Sequence, residues 1–339
     1  MHVIRSKAPL RISFCGGGTD LEHYYNDNGG LVLNATINKF AYGSFFERND
    51  NLKKILSFDY KLLIELNKKD SLSLNGEMDL VKSIIKNFES SGRKFRGFDM
   101  YLHSDAPPGS GLGSSSTMAV ALVGLLRNYF SIPITEYEVA ELAYKIERKD
   151  LKIVGGKQDQ YAASFGGFNL IEFYKDKVIV NPLRISRQII NELEYNLILC
   201  YTGKTRLSSN IVQKQIDYYK DNRTDTVQVM EDMKKMTIEM KNALLVGKLE
   251  DFAEMLHISG IQKRRMNPFA TDNYIDELYE EARLSGVIGG KVLGAGGGGY
   301  LLLYCPIQKR TKVTEKLEKL GGSVMSFCFE SHGLQTWNF

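Results

Sequence analysis

The sequence predicts a two-domain α+β protein, and two observations carry the prediction. A chain of 339 residues is longer than one ordinary core encloses. Near Asn181–Arg187 the pattern also changes from mixed strands and helices to long polar helices followed by strands. The division is therefore placed between residues 1–185 and 186–339. A hydrophobic share of 43%, a charged share of 25% and only 7 prolines exclude collagen-like, disordered and low-complexity classes.

In the first half, Val3–Phe14 and Gly30–Phe46 carry β-branched and aromatic residues bounded by glycines, which predicts strands, with a short helix over Asp20–Asn26 between them. Phe95–Leu102 is extended and leads into a loop, after which Ser114–Phe130 is apolar on nearly every face and predicts a buried helix. In Thr135–Leu151, Val139, Leu142, Ala143 and Ile146 recur at helical spacing behind a Thr135/Glu138 capping box. Phe168–Phe173 and Val178–Val180 read as a hairpin.

In the second half, helices are expected near Ser209–Asp221, Thr226–Val246, Leu249–Lys263 and Asp272–Leu284. Strands about Val292 and over Tyr300–Cys305, a helix near Arg310–Leu320 and a strand Val324–Glu330 complete the chain. Met230, Met233, Met236 and Met240 form a core stripe with no assigned function.

The net charge of +4 is spread along the chain, with no run of five like charges. That suits an anionic small molecule and no nucleic-acid duplex. No apolar stretch reaches the ~20 residues of a membrane span, so no membrane partner and a cytoplasmic location are expected. Cys15, Cys200, Cys305 and Cys328 form no CxxC pair, and the five histidines show no zinc spacing. Any metal is expected to arrive with a nucleotide.

The strongest chemical signal is Pro107-Pro-Gly-Ser-Gly-Leu-Gly-Ser-Ser-Ser116, between a strand and a buried helix. Its glycines allow a tight fold that turns several N–H groups towards one point, and the helix adds its unsatisfied N-terminal amides and positive dipole end. Pro108, Gly109, Ser110, Gly111, Leu112, Gly113, Ser114, Ser115 and Ser116 are thus candidate phosphate ligands, the serines also through their hydroxyls. Gly203-Lys204-Thr205 lacks the first glycine of a Walker sequence, Ile198 standing in its place. Gly294–Gly299 formally satisfies GxGxxG but leads into a strand, so the dinucleotide reading fails; a glycine run there means close approach to another backbone or to a ligand.

In Gly16-Gly-Gly-Thr-Asp20, Asp20 either caps the following helix or accepts hydrogen bonds from sugar hydroxyls. Glu147 faces either water or a site. Asp159, in Gly155-Gly-Lys-Gln-Asp-Gln-Tyr161, could cap the next helix.

Taken together, Lys7-Ala-Pro-Leu-Arg11 through Asp20, Pro107–Ser116 and Gly294–Gly299 resemble, in order, three motifs of the GHMP kinases, the galactokinase, homoserine kinase, mevalonate kinase and phosphomevalonate kinase superfamily. Cys15–Asp20, Gly155–Tyr161 and Gly290–Gly299 look most like the D-glycero-D-manno-heptose 7-phosphate kinases, with L-fucokinase domains next.

The resemblance implies a ribosomal protein S5 domain 2-like N-terminal domain that binds ATP and a ferredoxin-like C-terminal domain. It implies ATP in the loop, Mg²⁺ held by Ser115 and Glu147, Asp159 as the catalytic carboxylate, and Arg11 as the cation stabilising the transferring group. Asp20, with Gly17, Gly18 and Thr19, would bind the sugar, as would Gly296 and Gly297. The first motif carries Gly16-Gly-Gly where galactokinase-like members have Gly-Glu-His, so their sugar contacts do not transfer.

A sugar that already bears a phosphate needs a further cationic pocket, from Lys204 and Arg206 or from Lys263-Arg264-Arg265. The expected activity is phosphorylation of the anomeric hydroxyl of D-glycero-D-manno-heptose 7-phosphate by a monomer or homodimer, feeding nucleotide-activated heptose synthesis. An L-fucokinase-like enzyme and a catalytically silent sugar sensor are the alternatives. A nucleic-acid module would need salt-dependent oligonucleotide binding to support it.

Overall fold

The protein is described from a computed structural model covering residues 3–66, 72–204, 208–221 and 223–339. The first half opens with β1 (Val3–Cys15), α1 (Glu22–Asn28), β2 (Gly30–Glu47), β3 (Lys53–Ser57), β4 (Leu62–Leu66), α2 (Asp79–Ser90), β5 (Phe98–Ser104) and α3 (Ser114–Tyr129). It continues through α4 (Glu136–Tyr144), a π-helical segment Lys145–Asp150, α5 (Gln158–Phe165), β6 (Phe168–Phe173) and β7 (Val178–Pro182).

The second half comprises α6 (Arg187–Asn196), β8 (Leu197–Tyr201), α7 (Ser208–Asp221), α8 (Arg223–Val246), α9 (Leu249–Met266) and α10 (Asn273–Ser285). It ends with β9 (Gly289–Val292), β10 (Tyr300–Tyr304), α11 (Ile307–Lys319), β11 (Ser323–Met325) and β12 (Gln335–Asn338).

Two sheets result. The larger runs β12-β1-β2-β5-β3-β4, and the long β2 carries a second branch, β6-β7, at its other end. It is antiparallel apart from β3 beside β5. The smaller is antiparallel in the order β11-β8-β10-β9.

Helix α3 behaves as its all-round apolar pattern predicts. Ala119 to Val123, Leu125 and Leu126 are fully buried among the larger sheet, α4 and α5. Thr135 caps α4 in the predicted box, its Oγ1 accepting from the Glu138 amide while Glu138 accepts from the Thr135 amide.

Where the two sheets meet, Phe14 stacks on Phe168 and meets Phe252 edge-on at a centroid separation of 5.3 Å. The methionine stripe on α8 packs into the same core. Among the described residues no helix is long and apolar enough to cross a membrane.

Three features differ from expectation. Strands β3, β4 and β8 and helices α2 and α6 are not among the elements expected from the sequence. The expected helix Thr135–Leu151 is α-helical only to Tyr144 and then widens into the π segment. The expected strand Val324–Glu330 stops at Met325, leaves only an isolated bridge between Phe329 and Ile37, and is followed by β12, which pairs with β1. A single cut at residue 185 therefore does not separate the two sheets, because the larger one includes residues 335–338.

Candidate active site

Three chain segments meet at the glycine loop Pro107–Gly113. Gly109, Gly111 and Gly113 all adopt positive φ, the conformation that folds a short loop back on itself. Gly113 is the N-cap of α3 and supplies no side chain to its first amides.

The run 294–299 packs on this loop backbone to backbone. Tyr300 N donates to Ser110 O at 3.0 Å, and a Cβ on Gly299 would stand 2.0 Å from the same oxygen. A Cβ on Gly294 would stand 2.5 Å from Gly111 Cα. Of the two readings of this glycine run, the structure shows backbone on backbone. Gly296 and Gly297 lie against Ala270, whose carbonyl accepts from Gly297 N at 2.7 Å, and it is their neighbours Gly294 and Ala295 that line the crevice described below. Gly299→Ala, which combines a positive-φ position with that clash, is expected to spread the loop and raise the KM for ATP about tenfold or more, as an ATP titration of initial rates will show.

Arg11 stands on β1 next to a register shift in its pairing with β2 between Pro9 and Arg11. A bulge of this kind re-aims a side chain. The guanidinium is 3% exposed; Nη2 and Nε meet Asp159 Oδ1 at 2.6 and 2.7 Å, while Nη1 donates to Gly111 O at 2.6 Å. One cation thus joins the loop to the carboxylate. Asp159 lies in the first turn of α5, and a Cβ on Gly113 would be 3.2 Å from its carboxyl carbon.

Asp20 does not cap α1. Its Oδ1 accepts from Gly18 N at 2.9 Å and its Oδ2 from Gln158 N at 3.1 Å, so it caps α5 and pins the turn 16–20 to the Asp159 helix. Burial pushes its carboxyl up, the Gln158 amide opposes, and the Asp159 charge adds to the rise. Thr19 is buried, donating to Gly16 O at 2.7 Å and accepting from Leu31 N at 2.9 Å. It shapes the turn and does not face outward.

The π segment decides where Glu147 points. A widened turn shifts the face of every residue after it, and Glu147 is 1% exposed instead of solvated. It accepts from Ser115 Oγ, Ser116 Oγ and Gln160 Nε2, each at 2.7 Å. Arg148 follows, donating to Ser116 Oγ at 3.0 Å with Nη1 3.4 Å from Glu147. Neither Gln160 nor Arg148 is singled out by the sequence: Arg148 lies in a π turn that leaves no periodic trace inside an amphipathic pattern, and Gln160 is an uncharged residue of α5 that meets Glu147 only in the fold. Ser115 is exposed in front of the buried Glu147, an oxygen pair at the mouth of the loop.

A crevice of about 100 Å³ opens between these elements and α8, α9 and β9. Arg11, Asp20, Gly17, Gly18 and Asp159 line it as expected, joined by Arg148, Lys263 and Lys291. Lys204 is not among its lining side chains: its ammonium lies over the Tyr274 ring and 3.8 Å from Asp272. Arg206 lies outside the described residues. Of the second predicted cluster only Lys263 enters; Arg264 pairs with Asp276, and Arg265 bonds Gln262.

Comparison with known proteins places this arrangement. Residues 79–167 match the GHMP kinases N terminal domain. The chain is 37% identical to the D-glycero-alpha-D-manno-heptose 7-phosphate kinase of Campylobacter jejuni, covering 99% of both chains. It superposes on a D-glycero-D-manno-heptose 1-phosphate kinase of Bacteroides thetaiotaomicron with a TM-score of 0.83 at 35% identity, covering 99% of both. The galactokinase of Lactococcus lactis, at 22% identity, shares the fold with a TM-score of 0.79, covering 98% of this chain and 95% of that one.

A glycine loop over a helix N-terminus, bonded directly to a guanidinium–carboxylate pair that opens on a crevice, belongs in this fold to a small-molecule phosphotransferase. The chain is a member of the GHMP kinase family, transferring a phosphoryl group from ATP to an alcohol acceptor.

Proposed function

We propose that the protein phosphorylates the anomeric hydroxyl of D-glycero-D-manno-heptose 7-phosphate, giving the 1,7-bisphosphate. The single observation that carries the chemistry is the Arg11–Asp159 pair, held against the phosphate loop by Gly111 O and open to the crevice. The substrate rests on full-length similarity to the Campylobacter enzyme, whose name carries the 7-phosphate; the Bacteroides relative is named for a 1-phosphate. Residues 1–185 would form the ATP-binding domain and 186–339 the second domain, with β12 returning to the first.

In this reading the amides of residues 109–116 hold the donor phosphates. Phosphoryl transfer through a loose transition state needs alignment and charge neutralisation more than covalent help. Arg11 supplies a fixed positive charge where the transferring group and the acceptor oxygen meet. Asp159 accepts the hydroxyl proton as that oxygen attacks. Asp20 receives sugar hydroxyls on its face towards the crevice, with Gly17 and Gly18 leaving room beside it.

The donor set fits Mg²⁺ delivered with the nucleotide. Ser115 Oγ and Glu147 Oε1 stand 2.7 Å apart at the mouth of the loop, a hydroxyl and a carboxylate, and Mg²⁺ typically takes one or two carboxylates plus substrate phosphates. Ser115 and Glu147 would hold it, and bound there it would neutralise charge on the donor phosphates.

The test is ADP release by the purified protein with Mg-ATP against D-glycero-D-manno-heptose 7-phosphate, L-fucose, galactose, mannose and mevalonate. The heptose phosphate is expected to be turned over alone. Preference for L-fucose would move the enzyme to the fucokinase-like alternative, and silence with every sugar would favour a sensor.

A further inference from the structure

Four cationic side chains line the crevice, and two are already neutralised by a carboxylate: Arg11 by Asp159, and Arg148 by Glu147. Lys263 and Lys291 are different. Lys291 Nζ donates to Phe14 O at 3.0 Å and Ser259 Oγ at 2.9 Å; Lys263 Nζ donates to Val292 O at 3.0 Å and Gly294 O at 2.5 Å. These acceptors are uncharged, each ammonium has a third proton beyond the two so bonded, and neither lysine has an ion-pair partner among the described residues. Both stand on the α9–β9 wall of the crevice that Asp159 and Asp20 also line.

From this we infer that Lys263 and Lys291 together seat the phosphate that the acceptor already carries. The inference rests on the reading above that the acceptor is a sugar phosphate.

The electrostatics agree. Burial pushes the Lys291 ammonium down to about 8, with Arg11 adding to the fall and the Cys15 thiol opposing it. Burial, Lys291 and Arg11, in that order, hold Lys263 well below the usual lysine range. Charging two neighbouring lysines on this wall carries a cost that an anion seated between them offsets. A phosphomonoester, carrying about −1.5 to −2 charges at neutral pH, removes the repulsion and supplies the missing counter-charge. A neutral sugar does neither. The pair therefore selects for the phosphorylated acceptor.

The experiment compares Lys263→Met and Lys291→Met with wild type on two acceptors, D-glycero-D-manno-heptose 7-phosphate and the same heptose without its phosphate. The ratio of kcat/KM for the first over the second is expected to fall roughly 10- to 100-fold in each variant, with Lys263→Arg restoring part of it. A purely structural role would depress both acceptors alike and leave the ratio unchanged, which would overturn the inference. A rise in the KM for ATP alone would overturn it too, placing the lysines on the donor phosphates.

Should Lys291→Met fail to fold, Lys263→Met and Lys263→Arg carry the test. Should wild type leave the heptose phosphate untouched, the proposed substrate fails but the seat does not. Inorganic phosphate is then titrated by calorimetry into protein saturated with Mg²⁺ and a non-hydrolysable ATP analogue. Binding at least about tenfold weaker in Lys263→Met than in wild type supports the seat, and equal binding refutes it.

Discussion

Asp159→Asn is expected to lower kcat by about 10²- to 10⁴-fold while the KM for ATP stays within roughly a factor of two. The substitution keeps the volume and one hydrogen-bond acceptor for Arg11, so the phosphate loop should remain tied through Gly111 O. What disappears is the group able to take the acceptor proton. Steady-state kinetics with ATP and acceptor varied separately will separate the two effects. A kcat within tenfold of wild type would remove Asp159 from the chemistry and leave it a structural partner of Arg11.

Arg11→Met should damage both the fold and the reaction. Arg11 is buried with two nitrogens on a carboxylate and a third on a loop carbonyl, and its removal leaves Asp159, only 17% exposed, without its counter-charge. Breaking a buried pair from one side typically costs about 3–5 kcal/mol, here nearer the lower figure because Asp159 retains some solvent. Equilibrium urea unfolding will measure that cost. Activity per folded molecule should fall by about 10²- to 10³-fold as the preorganised charge is lost. Arg11→Lys keeps the charge but not the fork geometry, and should recover stability better than rate. Equal recovery of both would argue against a specific role in transfer.

The parts of this site readable in the sequence are those made by contiguous residues. Pro107–Ser116 announces itself because a glycine loop and its helix N-terminus are one segment, and the Thr135 capping box is local for the same reason. Asp20 was only half readable: a carboxylate after a glycine turn implies a cap, but it caps α5, 138 positions downstream, instead of the adjoining α1. For Glu147 the residues alone leave water and a site both open, because helical periodicity assumes 3.6 residues per turn and Glu147 lies within the π segment that breaks that count. Lys291 sits in a motif whose glycines drew attention, whereas its partners, Phe14 O and Ser259 Oγ, come from elements that no spacing connects. Lys204, singled out for its place near an expected helix start, lies by Tyr274 and Asp272 and not among the crevice lining, since position before a helix says nothing about which wall a side chain joins.

The pairing of β12 with β1 sets an order of events during synthesis. Strand β1 carries Arg11, and its outer edge along Ile4–Lys7 is completed only by residues 335–338. Leu334 is equally late; it packs beside Gly124 of α3, where an added Cβ would come within 2.4 Å of it. At roughly 5–20 residues per second, ribosomes would need about 17–66 s to bring residue 335 out after residue 4. Throughout that interval the strand that carries Arg11 presents an unpaired backbone edge of the kind that recruits other chains. The nascent chain thus presents an open edge on the strand that carries Arg11, and a chain released before residue 335 would keep that edge open.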